Sequence, residues 1–174
     1  MAQHFQRAVG DVLDFHDENG QIYSATLVSR QSIPGGLNPD ITVGLLDVEV
    51  PLPYYKVLPP RDDWFEYLDG ALLLSTHHPR NVSVRDIRSL SGLRISFGPT
   101  DLVDSSFYTP AVSGTSGHPL FVLVNDELVL VSSHTFGGFG SGPFFSNPSN
   151  FDEINRIMGE LGGGYQLETI NIDE

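Results

Sequence analysis

The chain has 174 residues, of which 40% are hydrophobic and 18% charged, and its formal net charge is −13. Its nine Lys and Arg residues are scattered, so the sequence predicts no nucleic-acid partner, because phosphate contacts need clustered cations. The absence of cysteine excludes disulfides, a cysteine–zinc site and a thiol nucleophile. No apolar run is long enough for a membrane span or resembles a signal peptide, so we expect no membrane partner and a cytoplasmic product by default.

The first half of the chain is predicted to form short strands separated by turns. Strands are expected over residues 11–16, 21–29 and 41–46, and Asp17-Glu18-Asn19-Gly20 is typical of a hairpin turn between the first two. The proline-rich stretch 51–63 is interpreted as a linker. It separates two predicted units, residues 1–60 and residues 61–174.

The second half continues this pattern and adds one helix. Turns bound each of its five predicted strands, which cover residues 71–76, 82–87, 93–97, 120–124 and 128–133. The helix is predicted over residues 151–161, capped by Ser149 or Asn150 and ended by the glycines at 162–164. Residues 165–172 are expected to form a last strand or an ordered tail. Strands at this spacing favour an all-β barrel or sandwich.

A serine between glycines precedes one of these strands, in Gly114-Thr115-Ser116-Gly117-His118-Pro119. Glycine lets the backbone turn tightly and brings peptide N–H groups close to a substrate carbonyl. A serine in such a turn can act as a nucleophile whose own N–H helps to form an oxyanion hole. A plain Gly/Ser loop has the same composition, so the motif needs partners.

Two partners lie upstream, His4 in Ala-Gln-His-Phe and Asp40 in Asp-Ile-Thr-Val-Gly-Leu-Leu. With Gly-Thr-Ser-Gly-His-Pro around Ser116, these segments resemble, in order, the three motif boxes of trypsin/chymotrypsin-type serine proteases. The resemblance implies a two-barrel fold with an incomplete first barrel, one C-terminal helix and an active site between the barrels. It implies serine endopeptidase activity on a polypeptide substrate, without a metal or other cofactor.

The resemblance also implies a role for each residue. Ser116 is the nucleophile, His4 the general base, and Asp40 orients and supports the imidazolium. The backbone N–H groups of Gly114 and Ser116 form the oxyanion hole. Ser133 corresponds to a serine near the catalytic aspartate. The substrate-binding residues expected downstream are Ser133, His134, Thr135 and Phe136, the last three forming an edge that pairs with substrate backbone.

The expected specificity pocket lies between residues 109–112 and 135–138, neither of which contains Asp or Glu. A small or apolar pocket is therefore predicted rather than one for Lys or Arg. Thr115 stands where the family usually has Asp, so an activation switch that uses that Asp is not expected. His118 replaces a family glycine and is expected to narrow the cleft.

Only three residues precede His4, whereas in the resembled family several strands precede the histidine box. This difference predicts an N-terminally truncated protease domain with too little local structure to hold His4, and weak or no activity.

Several alternatives stay open at this stage. His16 is a rival base, although its strand-like surroundings favour an outward or edge position, and His77-His78 is interpreted as a strand end rather than a metal site. A non-catalytic protease-like binding module and an acidic all-β structural protein are the alternative functions. The sequence does not determine the oligomeric state.

Overall fold

A computed structural model describes residues 1–36, 38–77, 81–112, 114–136 and 140–172. The described chain is mostly β, as the sequence predicts, and contains two antiparallel sheets. One sheet has three strands in the order β1-β2-β3, and the other has six strands in the order β8-β7-β4-β5-β6-β9.

The small sheet is built from the first half of the chain. It consists of β1 (Val12–His16), β2 (Ile22–Ser32) and β3 (Thr42–Leu46). The predicted hairpin joins β1 to β2, with the Asp17 N–H bonded to the Gln21 carbonyl. An isolated antiparallel bridge between Ala2 and Ile41 adds the start of the chain beside β3.

The six-stranded sheet curls into a half-barrel. Its strands pair antiparallel throughout and are β4 (Leu72–His77), β5 (Asn81–Ser91), β6 (Arg94–Gly98), β7 (Pro119–Val124), β8 (Glu127–Ser133) and β9 (Ser141–Pro143). Its two outer strands approach each other where an isolated bridge joins Ser132 to Phe144. The main core lies under this sheet, where Val129 and Val131 alternate inward along β8.

Two α-helices occur in the described residues, α1 (Trp64–Leu68) and α2 (Pro148–Leu161). α2 confirms the predicted C-terminal helix, but the predicted cap is wrong. Asn147 caps it instead, accepting the Ser149 N–H at 3.0 Å, because Pro148 suits the first helical position and leaves the cap to the residue before it.

α2 covers the small sheet rather than the sheet that precedes it in the chain. Ile154 and Ile157 on α2 pack against Ile33 and Ile41 in a second core cluster. Burial of these side chains joins the two predicted units, because one apolar cluster draws on both. The proline-rich linker is also hydrogen-bonded to the C-terminal tail, because the Val57 N–H donates to the Glu168 carbonyl.

Three further details differ from the sequence predictions. The five-residue helix α1 lies in a stretch for which no element was predicted, and β9 has only three residues, two of them glycine and proline. β5 extends to Ser91, four residues beyond its predicted end. Helix and strand propensities are weak signals in segments this short, so tertiary pairing determines them.

Candidate active site

Asp40 is completely buried between the small sheet and the start of the chain. Its backbone has φ +67°, a left-handed conformation that Asp adopts more readily than most residues. Its carboxylate accepts two hydrogen bonds from His4. Oδ1 accepts the His4 backbone N–H at 2.9 Å, and Oδ2 pairs with His4 Nδ1 at 2.6 Å. A buried carboxylate needs such partners, and here one residue supplies both.

His4 lies in a single 3-10 turn, Gln3–Phe5, with its side chain 31% exposed. The Gln3 N–H donates to the Asp40 carbonyl at 3.2 Å, and Ala2 pairs with Ile41 immediately before it. The expectation that residues 1–3 provide too little structure to hold His4 is therefore wrong. Pairing with the Asp40–Ile41 backbone, which is distant in sequence, fixes its position.

Ser116 completes a hydrogen-bonded series with these two residues. His4 Nε2 lies 2.8 Å from Ser116 Oγ, on the side of the ring opposite Asp40. Because an ionised carboxylate only accepts hydrogen bonds, Asp40 requires the ring proton on Nδ1 and leaves Nε2 to accept the serine hydroxyl. Residues 4, 40 and 116, which the sequence predicts as catalytic, are thus brought into direct contact across 112 positions of the chain.

The turn that carries Ser116 is held by its own backbone. Gly114 and Gly117 have φ +96° and +87°, which favour glycine. The Thr115 N–H and Oγ1–H both donate to the Val112 carbonyl, at 3.1 and 2.8 Å, and the Gly117 N–H donates to the His134 carbonyl at 2.8 Å. Residues 115 and 117 therefore use their N–H groups to fix the turn.

The N–H groups of Gly114 and Ser116 are arranged differently. Within the described part of the chain, neither donates to a protein acceptor. These are the two groups that the sequence predicts as the oxyanion hole. An oxyanion hole requires backbone N–H groups that are not already bonded to protein acceptors.

The segment expected to bind substrate lies beside this turn. His134 and Thr135 are buried, Ser133 is half-buried and Phe136 is exposed. The N–H groups of residues 134, 135 and 136 already donate, to the His118 carbonyl at 2.8 Å and to the Ser141 carbonyl at 2.9 and 3.1 Å. A substrate strand pairing along this edge would therefore have to bond to its carbonyl oxygens.

The structure does not join Ser133 to Asp40 by a hydrogen bond among the described residues, so it gives no contact of the kind expected from the resemblance.

One wall of the expected pocket, residues 109–112, runs up to the Ser116 turn. In the other wall, Gly137 and Gly138 lie outside the described residues. His118 is half-buried, and its carbonyl accepts from His134.

The alternative histidines lie apart from this site. His16 is exposed at the end of β1, in line with the predicted edge position. His77 ends β4, as predicted, whereas His78 lies outside the described residues. Across the described ranges, no group of three His, Asp or Glu side chains could hold a metal ion.

Two cations have an electrostatic link to Asp40, the N-terminal ammonium of Met1 and Arg94 on β6. Burial lowers the pKa of Arg94, and attraction to the Asp40 carboxylate opposes that shift. Its Nη2 donates to Ser141 Oγ at 2.9 Å, and its guanidinium lies 4.3 Å from the ring centre of Phe136. Arg94 thus connects β6 to both ends of the Phe136–Ser141 pairing beside the site.

Sequence reasoning missed two buried polar residues that bond to the segment leading to Ser116. Ser83 and Arg85 on β5 are completely buried, and both contact Thr109. Their sequence, Val-Ser-Val-Arg, carried no signal for this, because alternation alone would turn the valines inward. In fact Val82 is exposed and the polar residues face the interior.

Comparisons with protein-family models, with curated proteins and with solved structures find no match to this chain. Among the described helices, none has the length and apolar character needed to cross a membrane.

Proposed function

We propose that this protein is a serine endopeptidase that cleaves polypeptides through Ser116, His4 and Asp40. The observation that carries the proposal is the continuous series of hydrogen bonds from Asp40 through His4 to Ser116. Nucleophile, base and orienting carboxylate in this order constitute the arrangement by which an ordinary serine hydroxyl becomes reactive.

Acylation follows from this arrangement. Ser116 Oγ attacks the scissile carbonyl carbon while its proton passes to His4 Nε2, and the carbonyl electron pair moves onto oxygen. The Gly114 and Ser116 N–H groups stabilise that oxyanion by a few kcal/mol. When the oxyanion collapses, the C–N bond breaks and the leaving nitrogen takes the proton from Nε2. Asp40 stabilises the transient imidazolium and keeps its Nδ1 proton in place.

Deacylation repeats these steps with water. Water gives a proton to His4 Nε2 and attacks the acyl carbon, and the second oxyanion returns its electrons as the bond to Ser116 Oγ breaks. Oγ regains the proton from Nε2, so the enzyme is restored and the product leaves as a carboxylic acid. No metal or other cofactor is required by this chemistry.

The fold that we propose with this function is the two-barrel chymotrypsin-like architecture. The curled six-stranded sheet would be the second barrel, and the small sheet with residues 1–3 would be a reduced first barrel. Support comes from the chain order His, Asp, Ser and from the position of α2 after the second sheet. His4 and Asp40 belong to one unit and Ser116 to the other, as a cleft site requires.

Cleavage of an unfolded protein tests the proposed activity. Incubation with a denatured polypeptide and mass spectrometry of the products should reveal new termini with the wild-type chain and none with Ser116→Ala. Ser106→Ala, which removes an exposed serine hydroxyl elsewhere, should cleave as the wild type does. Equal cleavage by Ser116→Ala would overturn the proposal.

A further inference from the structure

We propose that Arg85 and Ser83, two buried polar residues of β5, position the turn that carries Ser116. The inference rests on the proposed hydrolase function, in which this turn holds the nucleophile and the oxyanion hole. Neither residue is in direct contact with His4, Asp40 or Ser116 among the interactions described, so their role would be positioning rather than catalytic.

The two residues bond to both backbone polar groups of Thr109, its N–H and its carbonyl. Ser83 Oγ accepts the Thr109 N–H at 2.9 Å, and Arg85 Nη2 donates to the Thr109 carbonyl at 2.6 Å. Ser83 and Arg85 are two positions apart on one strand, so both point to the same inner face. Their pairing with Thr109 fixes the loop at the point where it turns toward the active site.

A short covalent and hydrogen-bonded path leads from Thr109 to the nucleophile. Three residues beyond Thr109, the Val112 carbonyl accepts both the N–H and the hydroxyl of Thr115. Thr115 is 4% exposed and directly precedes Ser116. Displacement of Thr109 would therefore be transmitted to the upstream side of the nucleophile.

A second path reaches the downstream side of the turn. The Arg85 guanidinium lies 5.6 Å from the ring centre of Phe97, and Phe97 packs against His134 with ring centres 5.7 Å apart. The His134 carbonyl accepts the Gly117 N–H, one residue after Ser116. Arg85 is thus connected to both ends of the three-residue segment around Ser116.

Energetics support a functional reason for this arginine. Burial lowers the pKa of Arg85, with Tyr108 opposing the shift, which reflects the unfavourable removal of the guanidinium from water. Burying a charged group costs free energy unless it is paired and hydrogen-bonded. The buried arginine is therefore better explained by what it holds than by what it adds to stability.

The test compares Arg85→Met with Arg88→Met. Arg88 lies on the same strand and also donates to a backbone carbonyl, that of Pro99, but it is exposed and takes part in neither of the two paths. Two quantities are measured well below the unfolding midpoint: the second-order rate constant for labelling by a fluorophosphonate, which reacts with activated serines, and deuterium uptake of the peptide that contains residues 112–117.

In Arg85→Met we expect labelling to slow at least about ten-fold, because misplacement of about 1 Å can cost about a hundred-fold in rate. Faster deuterium uptake at Thr115 and Gly117 should accompany it. Arg85→Lys keeps a donor long enough to reach Thr109 and should recover part of the labelling rate. Arg88→Met should change labelling by no more than about two-fold.

Ser83→Ala is a second variant for the case in which Arg85→Met does not fold. It removes only the acceptor for the Thr109 N–H, and it should slow labelling and speed deuterium uptake as Arg85→Met does. The proposal is overturned if folded Arg85→Met labels at the wild-type rate, if uptake at residues 112–117 is unchanged, or if Arg88→Met shows an equal loss. A wild-type chain that labels at no serine would instead refute the proposed function. Deuterium uptake would then still decide whether Arg85 holds the turn.

Discussion

The carboxylate of Asp40 makes two hydrogen bonds with different consequences for His4. Oδ1 holds the His4 backbone, and Oδ2 holds the imidazole in the tautomer that leaves Nε2 free to accept from Ser116. Complete burial of Asp40 keeps water from competing for either bond. Loss of one oxygen should therefore affect reactivity through histidine orientation rather than through substrate binding.

Asp40→Asn tests this directly. The amide would present a donor to His4 Nδ1 and favour the opposite tautomer, so labelling of Ser116 should slow by about a hundred-fold or more. The measurement is the fluorophosphonate labelling rate. Asp14→Asn is the matched control, since Asp14 also accepts a side-chain hydrogen bond but lies on an exposed strand. Wild-type labelling by Asp40→Asn would contradict the proposed role.

Gly114 and Gly159 form a matched pair because an added methyl group would meet nothing within 4 Å at either position. They differ in backbone conformation, since Gly114 has φ +96° and Gly159 lies inside α2. Gly114→Ala should destabilise the fold by about 1 kcal/mol and slow labelling, because it strains the turn that carries Ser116. Gly159→Ala should stabilise it by about 0.5–1 kcal/mol without affecting labelling.

Thermal unfolding and labelling of both variants measure these effects. Normal labelling of Gly114→Ala would show that turn conformation is not what limits reactivity, and a lower midpoint for Gly159→Ala would contradict the predicted gain in helix stability.

At the level of elements, α2 depends on its first residues. Asn147 Oδ1 caps the helix by accepting from Ser149 and Asn150, while its Nδ2 donates to the Gly92 carbonyl at 3.1 Å. Asn147→Ala should cost about 1–2 kcal/mol of stability, measured by urea unfolding. Asn147→Asp keeps the capping oxygen and should cost less. If the two substitutions are equally destabilising, the cap is not the source of the effect.

Among the described strands and α-helices, the sequence predicts β1 to β8 and α2 but neither α1 nor β9. The Asn19-Gly20 turn carries a strong local signal and joins the two strands that it was predicted to join, and the Asn125-Asp126 turn joins β7 to β8. β9 has no such signal, because glycine at position 142 is required by close approach rather than by propensity. A methyl group there would lie 1.8 Å from the Ser133 carbonyl oxygen. Contacts of this kind appear only once the sheet has formed.

In the candidate site, too, some residues carry a local sequence signal and others do not. Glycine flanks and motif order predict residues 4, 40 and 116, because catalytic chemistry restricts residue type and local backbone. Arg85 carries no comparable signal, because its proposed role depends on a contact with Thr109, which lies 24 residues away in the sequence. Burial alternates along β5 as in any half-buried strand, but Arg85 is a charged residue at one of the buried positions.

For the whole molecule, the packing of α2 on the small sheet predicts a single unfolding transition, because residues of both predicted units form that cluster. Ile41 from the small sheet packs with α2, and the single tryptophan, Trp64, belongs to the core of the six-stranded sheet. Ile41→Ala should cost about 2–5 kcal/mol. Trp64 fluorescence and far-ultraviolet circular dichroism should register the same shift in midpoint, because the two sheets unfold together. A fluorescence midpoint that stays unchanged while circular dichroism shifts would indicate independent units.

The site also depends on the whole molecule. His4 and Asp40 lie beside the small sheet, whereas Ser116 lies just before β7 of the six-stranded sheet. Labelling by a fluorophosphonate, followed by intact mass and peptide mapping, tests this account most directly. We predict one adduct per chain, located on Ser116, and none on Ser116→Ala, whose unfolding midpoint should stay within a few degrees of wild type. A wild-type chain without an adduct, or an adduct that persists in Ser116→Ala, would contradict the account.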